Sequence, residues 1–233
     1  MTLVKFIYKV IFVKNFIMHN TIRNLIYIEE LIKSKANHDK STKIIAVSKT
    51  YPIESILPLL DYGHLHYGEN KVQEALDKWT EIKKQNFSIK LHLIGRLQTN
   101  KVKFALKIFD YIHSLDSEKL AKKIADEQIK HDKKPKIFIQ VNIGNENQKS
   151  GIKKEELFEF YKFCKNLNLD IIGTMCIPPI NENTVSYFSE MDIINRELNF
   201  DDLSMGMSGD YLDAVKNNAT FVRIGSKIFG NRD

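Results

Sequence analysis

Two cysteines, Cys164 and Cys176, are too few for a disulfide framework or a metal-binding quartet in a chain of 233 residues. They suit a reducing compartment, and Cys176, near the end of an expected strand, reads as a small buried filler rather than a reactive thiol. No G-x-G-x-x-G follows the first strand-like segment, which weakens a dinucleotide-binding reading. No Gly/Ser/Pro-rich linker and no break in composition divides the chain, so one domain is expected. No uncharged apolar run is long enough to span a membrane. In the apolar stretch 3–17, Lys5, Lys9 and Lys14 interrupt the run, whereas a secretory signal gathers its charges ahead of it. Residues 1–17 therefore read as an upstream extension, with an amphipathic surface helix as the alternative. Met18 reads as an internal start, and the fold is expected over 18–233.

What is present is ordinary for a soluble globular chain, with 43% hydrophobic and 27% charged residues. The formal charge of +6 comes mainly from lysines dispersed among acids, which reads as solvated helix faces rather than a nucleic-acid surface. The net positive field still favours phosphate-bearing ligands.

Strand-like and helix-like segments alternate eight times. The strand candidates are 44–47, 65–70, 90–95, 111–116, 137–143, 170–177, 203–207 and 221–224. Helical periodicity fills the intervals, and a further helix with a stripe of Ile22, Leu25, Ile26, Ile28 and Ile32 precedes the first strand. Ser117 is placed to cap the helix that follows the fourth strand. About 29 residues per unit predicts a single α/β domain, a (β/α)8 barrel, with a doubly wound open sheet as the runner-up.

The chemistry begins at Ile44-Ile45-Ala46-Val47-Ser48-Lys49-Thr50. An apolar strand that ends in lysine leaves the amine poorly hydrated, which favours its neutral, nucleophilic form. The bland alternative is a lysine that reaches out to solvent. In a barrel the strand ends converge on one mouth. Lys49, Asn70, Gly95-Arg96, Asp116, Asn142, Cys176, the run 205–208 and the run 223–226 would meet there. Ser204-Met205-Gly206-Met207-Ser208-Gly209 and Arg223-Ile224-Gly225-Ser226 end the last two strands, where small residues let backbone amides approach an anion. Each could equally be a tight turn. An amine after the first strand, facing a phosphate cradle after the seventh and eighth, suggests an aldehyde that carries a phosphate. Pyridoxal phosphate fits.

Several runs carry a family resemblance: 46–50, 67–74, 91–101, 140–143 with Lys149-Ser150-Gly151, 175–179, 203–208 and 222–230. In this order they resemble the pyridoxal phosphate homeostasis proteins, which share the barrel of the alanine racemase N-terminal domain. The resemblance runs from about residue 22 to the end. It implies that Lys49 carries pyridoxal 5'-phosphate (PLP) as an internal aldimine. It implies also that Ser208, Gly225 and Ser226 hold the phosphate, that Arg223 lies against the pyridine nitrogen, and that Asn70 lines the pocket. Arg96 stands where the family varies, and no role attaches to it. Ser226 replaces a frequent Thr and keeps the hydroxyl.

Catalysis by PLP uses the ring as an electron sink, best when the ring nitrogen is protonated and paired with a carboxylate. An arginine there weakens the sink, and the racemases that have one add a second base from another domain, for which this chain has no room. A carrier for intracellular PLP homeostasis that supplies apo-enzymes is therefore expected. It would act in the cytoplasm as a monomer, with neither nucleic acid nor membrane as partner. The alternatives are a weak PLP-dependent racemase or related amino-acid enzyme and an aldolase-type enzyme acting on a sugar phosphate.

Overall fold

In a computed structural model that describes residues 18–36, 41–146, 148–179 and 183–230, the eight strands form one closed parallel barrel in chain order. The extension expected over residues 1–17 lies outside the described residues.

Helix α1 (Asn20–Lys35) leads into β1 (Lys43–Val47), α2 (Ile53–Tyr62), β2 (His66–Glu69), α3 (Val72–Gln85) and β3 (Lys90–Leu93). A 3-10 turn, Thr99–Lys101, opens into α4 (Val102–Ile108), followed by β4 (Tyr111–Leu115), α5 (Glu118–His131) and β5 (Lys136–Val141). A second 3-10 turn, Lys154–Glu156, opens into α6 (Leu157–Asn166). The chain finishes through β6 (Asp170–Cys176), α7 (Thr184–Glu197), β7 (Asp202–Met207), α8 (Tyr211–Lys216), β8 (Phe221–Ile224) and the single turn α9 (Ser226–Phe229). The ring closes where β1 pairs with β8, Ile44 opposite Val222 and Ala46 opposite Ile224.

Ser117 caps α5 as expected, its Oγ accepting from the Leu120 amide at 3.4 Å. The fifth strand stops two residues earlier than its apolar run suggested. The Asn142 amide donates to Ile152 O, and the Asn142 side chain brackets Glu146 with two hydrogen bonds, so the backbone leaves the sheet there.

Two cores result from the period-two alternation of the strands. Outward residues such as Ile44, Ala46, Leu91, Ile112 and Ile139 pack under the helices, together with the fully buried Trp79. Inward residues Ile45, Tyr111, Phe138, Met175 and Phe221 fill the barrel itself. Leu25, Ile28 and Ile32 attach α1 to the outer core, each worth about 1.5–3 kcal/mol of burial. Helix α1 packs on α8, α9 and α2, and Asn24 Nδ2 donates to Ile228 O at 3.0 Å. It thereby covers the stretch beside β8 that the short α9 cannot.

Candidate functional site

The inward face of β1 carries Ile45 and Val47, and the same alternation brings Lys49 to the barrel mouth. There a cavity of ≈ 700 Å³ is lined by Val47, Lys49, Asn70, Ile94, Ile177, Met207, Ser208, Gly209, Arg223, Gly225 and Ser226. All six residues singled out in the sequence, Lys49, Asn70, Ser208, Arg223, Gly225 and Ser226, therefore meet on one surface. Asp116 and Asn142 lie at other strand ends and do not line it, and Arg96 is exposed away from it.

The backbone on both sides of Lys49 is gripped from α3. Ser48 Oγ donates to Glu69 Oε1 at 2.8 Å, and Lys78 Nζ donates to the Ser48 carbonyl at 2.9 Å. Lys78 also bridges Glu69 and Glu74, each at 3.0 Å, and the Thr50 amide donates to Glu74 Oε1 at 2.6 Å. Thr50 takes a φ of 65°, an unusual backbone angle for a β-branched residue. Glu69 is fully buried and accepts from Trp79 Nε1 as well. Burial raises its carboxyl above the usual range, against the pull of Trp79, Lys78 and Ser48. Burial also acts to raise Glu74, but the Thr50 amide and Lys78 outweigh it and hold the group below the ordinary value. With its side chain only 10% exposed, Lys78 is no solvated surface lysine, contrary to the reading of the lysines as solvated helix faces.

Gly95 sets the position of Asn70, because a Cβ on it would lie 2.4 Å from the Asn70 carbonyl oxygen. Near the end of β7 the chain bends at Gly206, where φ is +86° and an added Cβ would fall 2.5 Å from that of Ala214. Asp210 Oδ1 accepts from the Met207 amide at 2.6 Å and closes the turn that presents Ser208 and Gly209. Nothing lies within 4 Å of where a Gly209 Cβ would be, so the loop leaves open space on that side.

Arg223 is buried at the cavity floor. Its Nη1 donates to Ser204 Oγ and its Nη2 to the Cys176 carbonyl, both at 2.8 Å. Burial lowers its guanidinium below the ordinary value, with Cys176 and Asp210 opposing. The Cys176 thiol is itself buried and pushed up to about 12 by desolvation, which agrees with its reading as a filler.

Below Arg223 the barrel interior holds a row of histidines that the sequence did not disclose. Ser204 Oγ lies 2.9 Å from His113 Nδ1, His113 Nε2 2.9 Å from His92 Nδ1, and His92 Nε2 2.9 Å from His66 Nδ1. His92 stacks on Tyr111 and His113 on Phe138, with ring centroids 4.2 and 4.3 Å apart. The available signal was a histidine at an inward position on each of three successive strands. Ser48, Glu69 and Lys78 were missed as well.

The lining suits a small organic anion. Among the described residues it presents two cationic side chains, several hydroxyl and glycine positions, and no carboxylate. Among the described residues it presents no histidine or tyrosine either.

Comparison with known proteins gives a consistent result. Residues 28–233 match the family model for the alanine racemase N-terminal domain. The pyridoxal phosphate homeostasis protein of Aquifex aeolicus is 38% identical over 215 residues, 88% of this chain and 93% of that protein. Its counterpart in Pasteurella multocida is 36% identical over 218 residues, with the same coverage of 88% and 93%. Among solved structures, PipY of Synechococcus elongatus with PLP bound superposes with a TM-score of 0.76 at 32% identity, covering 87% of this chain and all of that one.

Proposed function

The chain belongs to the alanine racemase N-terminal domain family and, within it, to the pyridoxal phosphate homeostasis proteins, and from that premise we propose that it binds PLP at the barrel mouth and manages its supply. In this reading Lys49 carries the cofactor covalently, and Ser208, Gly225 and Ser226 hold its phosphate. Arg223 stands toward the ring nitrogen and Asn70 lines the pocket. When bound, PLP supplies an aldehyde that condenses reversibly with amines. The observation that carries the reading is the composition of the lining: two cations and small hydroxyl-bearing turns, with no carboxylate among the described residues.

The chain's own residues favour a carrier. A guanidinium at the ring nitrogen keeps that nitrogen unprotonated, and among the described residues the lining presents no histidine, tyrosine or carboxylate to exchange a proton on the far side. The protein takes up the reactive aldehyde, keeps it from other amines, and passes it to apo-enzymes in the cytoplasm, acting as a monomer. Among the described residues no helix is long and apolar enough to cross a membrane.

The test is direct. Protein incubated with PLP turns yellow, and borohydride fixes a pyridoxyl group on Lys49, read by peptide mass mapping. Lys49→Ala loses both. A colourless protein, or a label on another lysine, overturns the binding reading. For the carrier role, an apo-enzyme gains activity faster than free PLP leaves the protein. Transfer no faster than dissociation, or turnover of an alanine enantiomer that Lys49→Ala abolishes, overturns it.

A further inference from the structure

The row Arg223–Ser204–His113–His92–His66 runs from the cavity floor toward the opposite end of the barrel, drawing on β8, β7, β4, β3 and β2. Ser204, His92 and His113 are completely buried, and His66 is half-buried at the start of β2. Desolvation lowers both buried imidazoles well below their ordinary value, with His113 and Arg223 respectively adding to the effect, so both rings are neutral. Desolvation likewise lowers His66 to about 4, aided by His64, Lys43 and Lys90 and opposed by Asp110.

A neutral imidazole has one N–H and one bare nitrogen, and a guanidinium only donates. These two facts give the row a direction. Ser204 Oγ accepts from Arg223, and among the described residues its other polar partner is His113 Nδ1. Were His113 Nδ1 to donate to that oxygen, the serine hydrogen would be left without an acceptor in a fully buried place, which is unfavourable. The serine therefore donates to His113 Nδ1. His113 must then carry its proton on Nε2 and donate to His92 Nδ1. His92 in turn carries its proton on Nε2 and donates to His66 Nδ1.

We propose that Ser204 and this histidine row are positioning residues for Arg223: a one-way hydrogen-bond chain, oriented by the guanidinium, that holds the guanidinium in place at the cavity floor. A hydroxyl that gives away its own hydrogen is a better acceptor for the arginine, since linked hydrogen bonds polarise one another. The stacking of His92 on Tyr111 and of His113 on Phe138 keeps the rings from turning. The Cys176 carbonyl fixes the other arm of the fork. What Arg223 meets above it rests on the PLP reading, whereas the direction of the row does not.

The experiment uses the full chain, free of PLP, with nitrogen-15 in its histidines and arginines. Two-bond proton–nitrogen spectra at neutral pH report which ring nitrogen bears each proton. The expected result is an Nε2–H form for His66, His92 and His113 alike, with resolved, slowly rotating guanidinium resonances for Arg223. An Nδ1–H form or a charged ring at any of the three overturns the chain. Ser204→Ala is expected to turn His113 into a mixture of forms and to collapse the Arg223 resonances, while Ser204→Thr restores both. Loss of the hydrogen bond to the charged group should also weaken PLP retention about tenfold in Ser204→Ala, with recovery in Ser204→Thr. Unchanged Arg223 resonances in a folded Ser204→Ala protein overturn the positioning role. Should Ser204→Ala not fold, the wild-type spectrum and Ser204→Thr still decide the matter. If the wild-type chain binds no PLP, the functional reading fails while the tautomer result judges the row independently.

Discussion

The two cations of the cavity are supported in opposite ways. Around Lys49 the support is ionic: Glu69, Lys78 and Glu74 hold Ser48 and Thr50, the residues on either side of it. Under Arg223 the support is neutral, a hydroxyl, a carbonyl and a row of uncharged imidazoles. Under the proposed function the difference follows from what each group would have to present. A lysine that reacts must be placed by its backbone, and charges can do that from behind the strand. An arginine that offers its charge to a ligand would be cancelled by a carboxylate against it, whereas neutral acceptors orient it and leave its field intact.

This contrast is open to attack, first through acid. In the unfolded chain the histidines take up protons near 6.5; in the fold His64 and His66 are lowered to about 4, and His92 and His113 are lowered well below their ordinary value, all chiefly by burial. Between about 4 and 6.5 the unfolded state therefore binds more protons than the folded one, so stability is present above that window and falls as pH drops through it. Each such histidine contributes a slope of about 1.4 kcal/mol per pH unit, and thermal melts followed by circular dichroism should show the midpoint dropping steeply below pH 6. A flat profile there would mean that the Arg223 side is not neutral. Next comes Glu69→Ala, which leaves Lys78 and the Trp79 N–H without their buried partner. Urea unfolding should register a loss of about 3–5 kcal/mol, and a loss below 1 kcal/mol would show that the ionic brace is ornamental. The smallest effect belongs to Thr50→Gly. It relieves the left-handed backbone beside Lys49 while keeping the amide bonded to Glu74, and should stabilise by up to about 1 kcal/mol, a rise of about 2–4 °C in melting temperature. A fall instead would show that the Thr50 side chain is itself part of the brace.

The ionic side and the neutral side were unequally legible in the sequence. Short apolar runs set between helical periodicities announced the eight strands, and the lysine after β1 and the Gly/Ser turns at the ends of β7 and β8 announced the mouth, because each signal is contiguous in the chain. Lys78 was hidden in a helix whose polar face also carries the exposed Lys84, and only the packing of α3 against the end of β1 removes it from water. The histidines were hidden more completely. His66, His92 and His113 each look like one polar residue in an apolar strand, and they meet only through the register of the sheet, which sets Gly68 beside His92 and His92 beside Tyr111. Pair registers of parallel strands depend on crossover helices and ring closure, neither of which a local pattern encodes.

The pairing of β1 with β8 has one more consequence. Lys49 leaves the barrel on one side of that seam, and Arg223, Gly225 and Ser226 on the other. A molecule that grasps both sides acts as a clasp on the hoop, so binding at the mouth should make the first and last strands the slowest part of the ring to spring open, and an empty barrel should begin to unravel at that same seam.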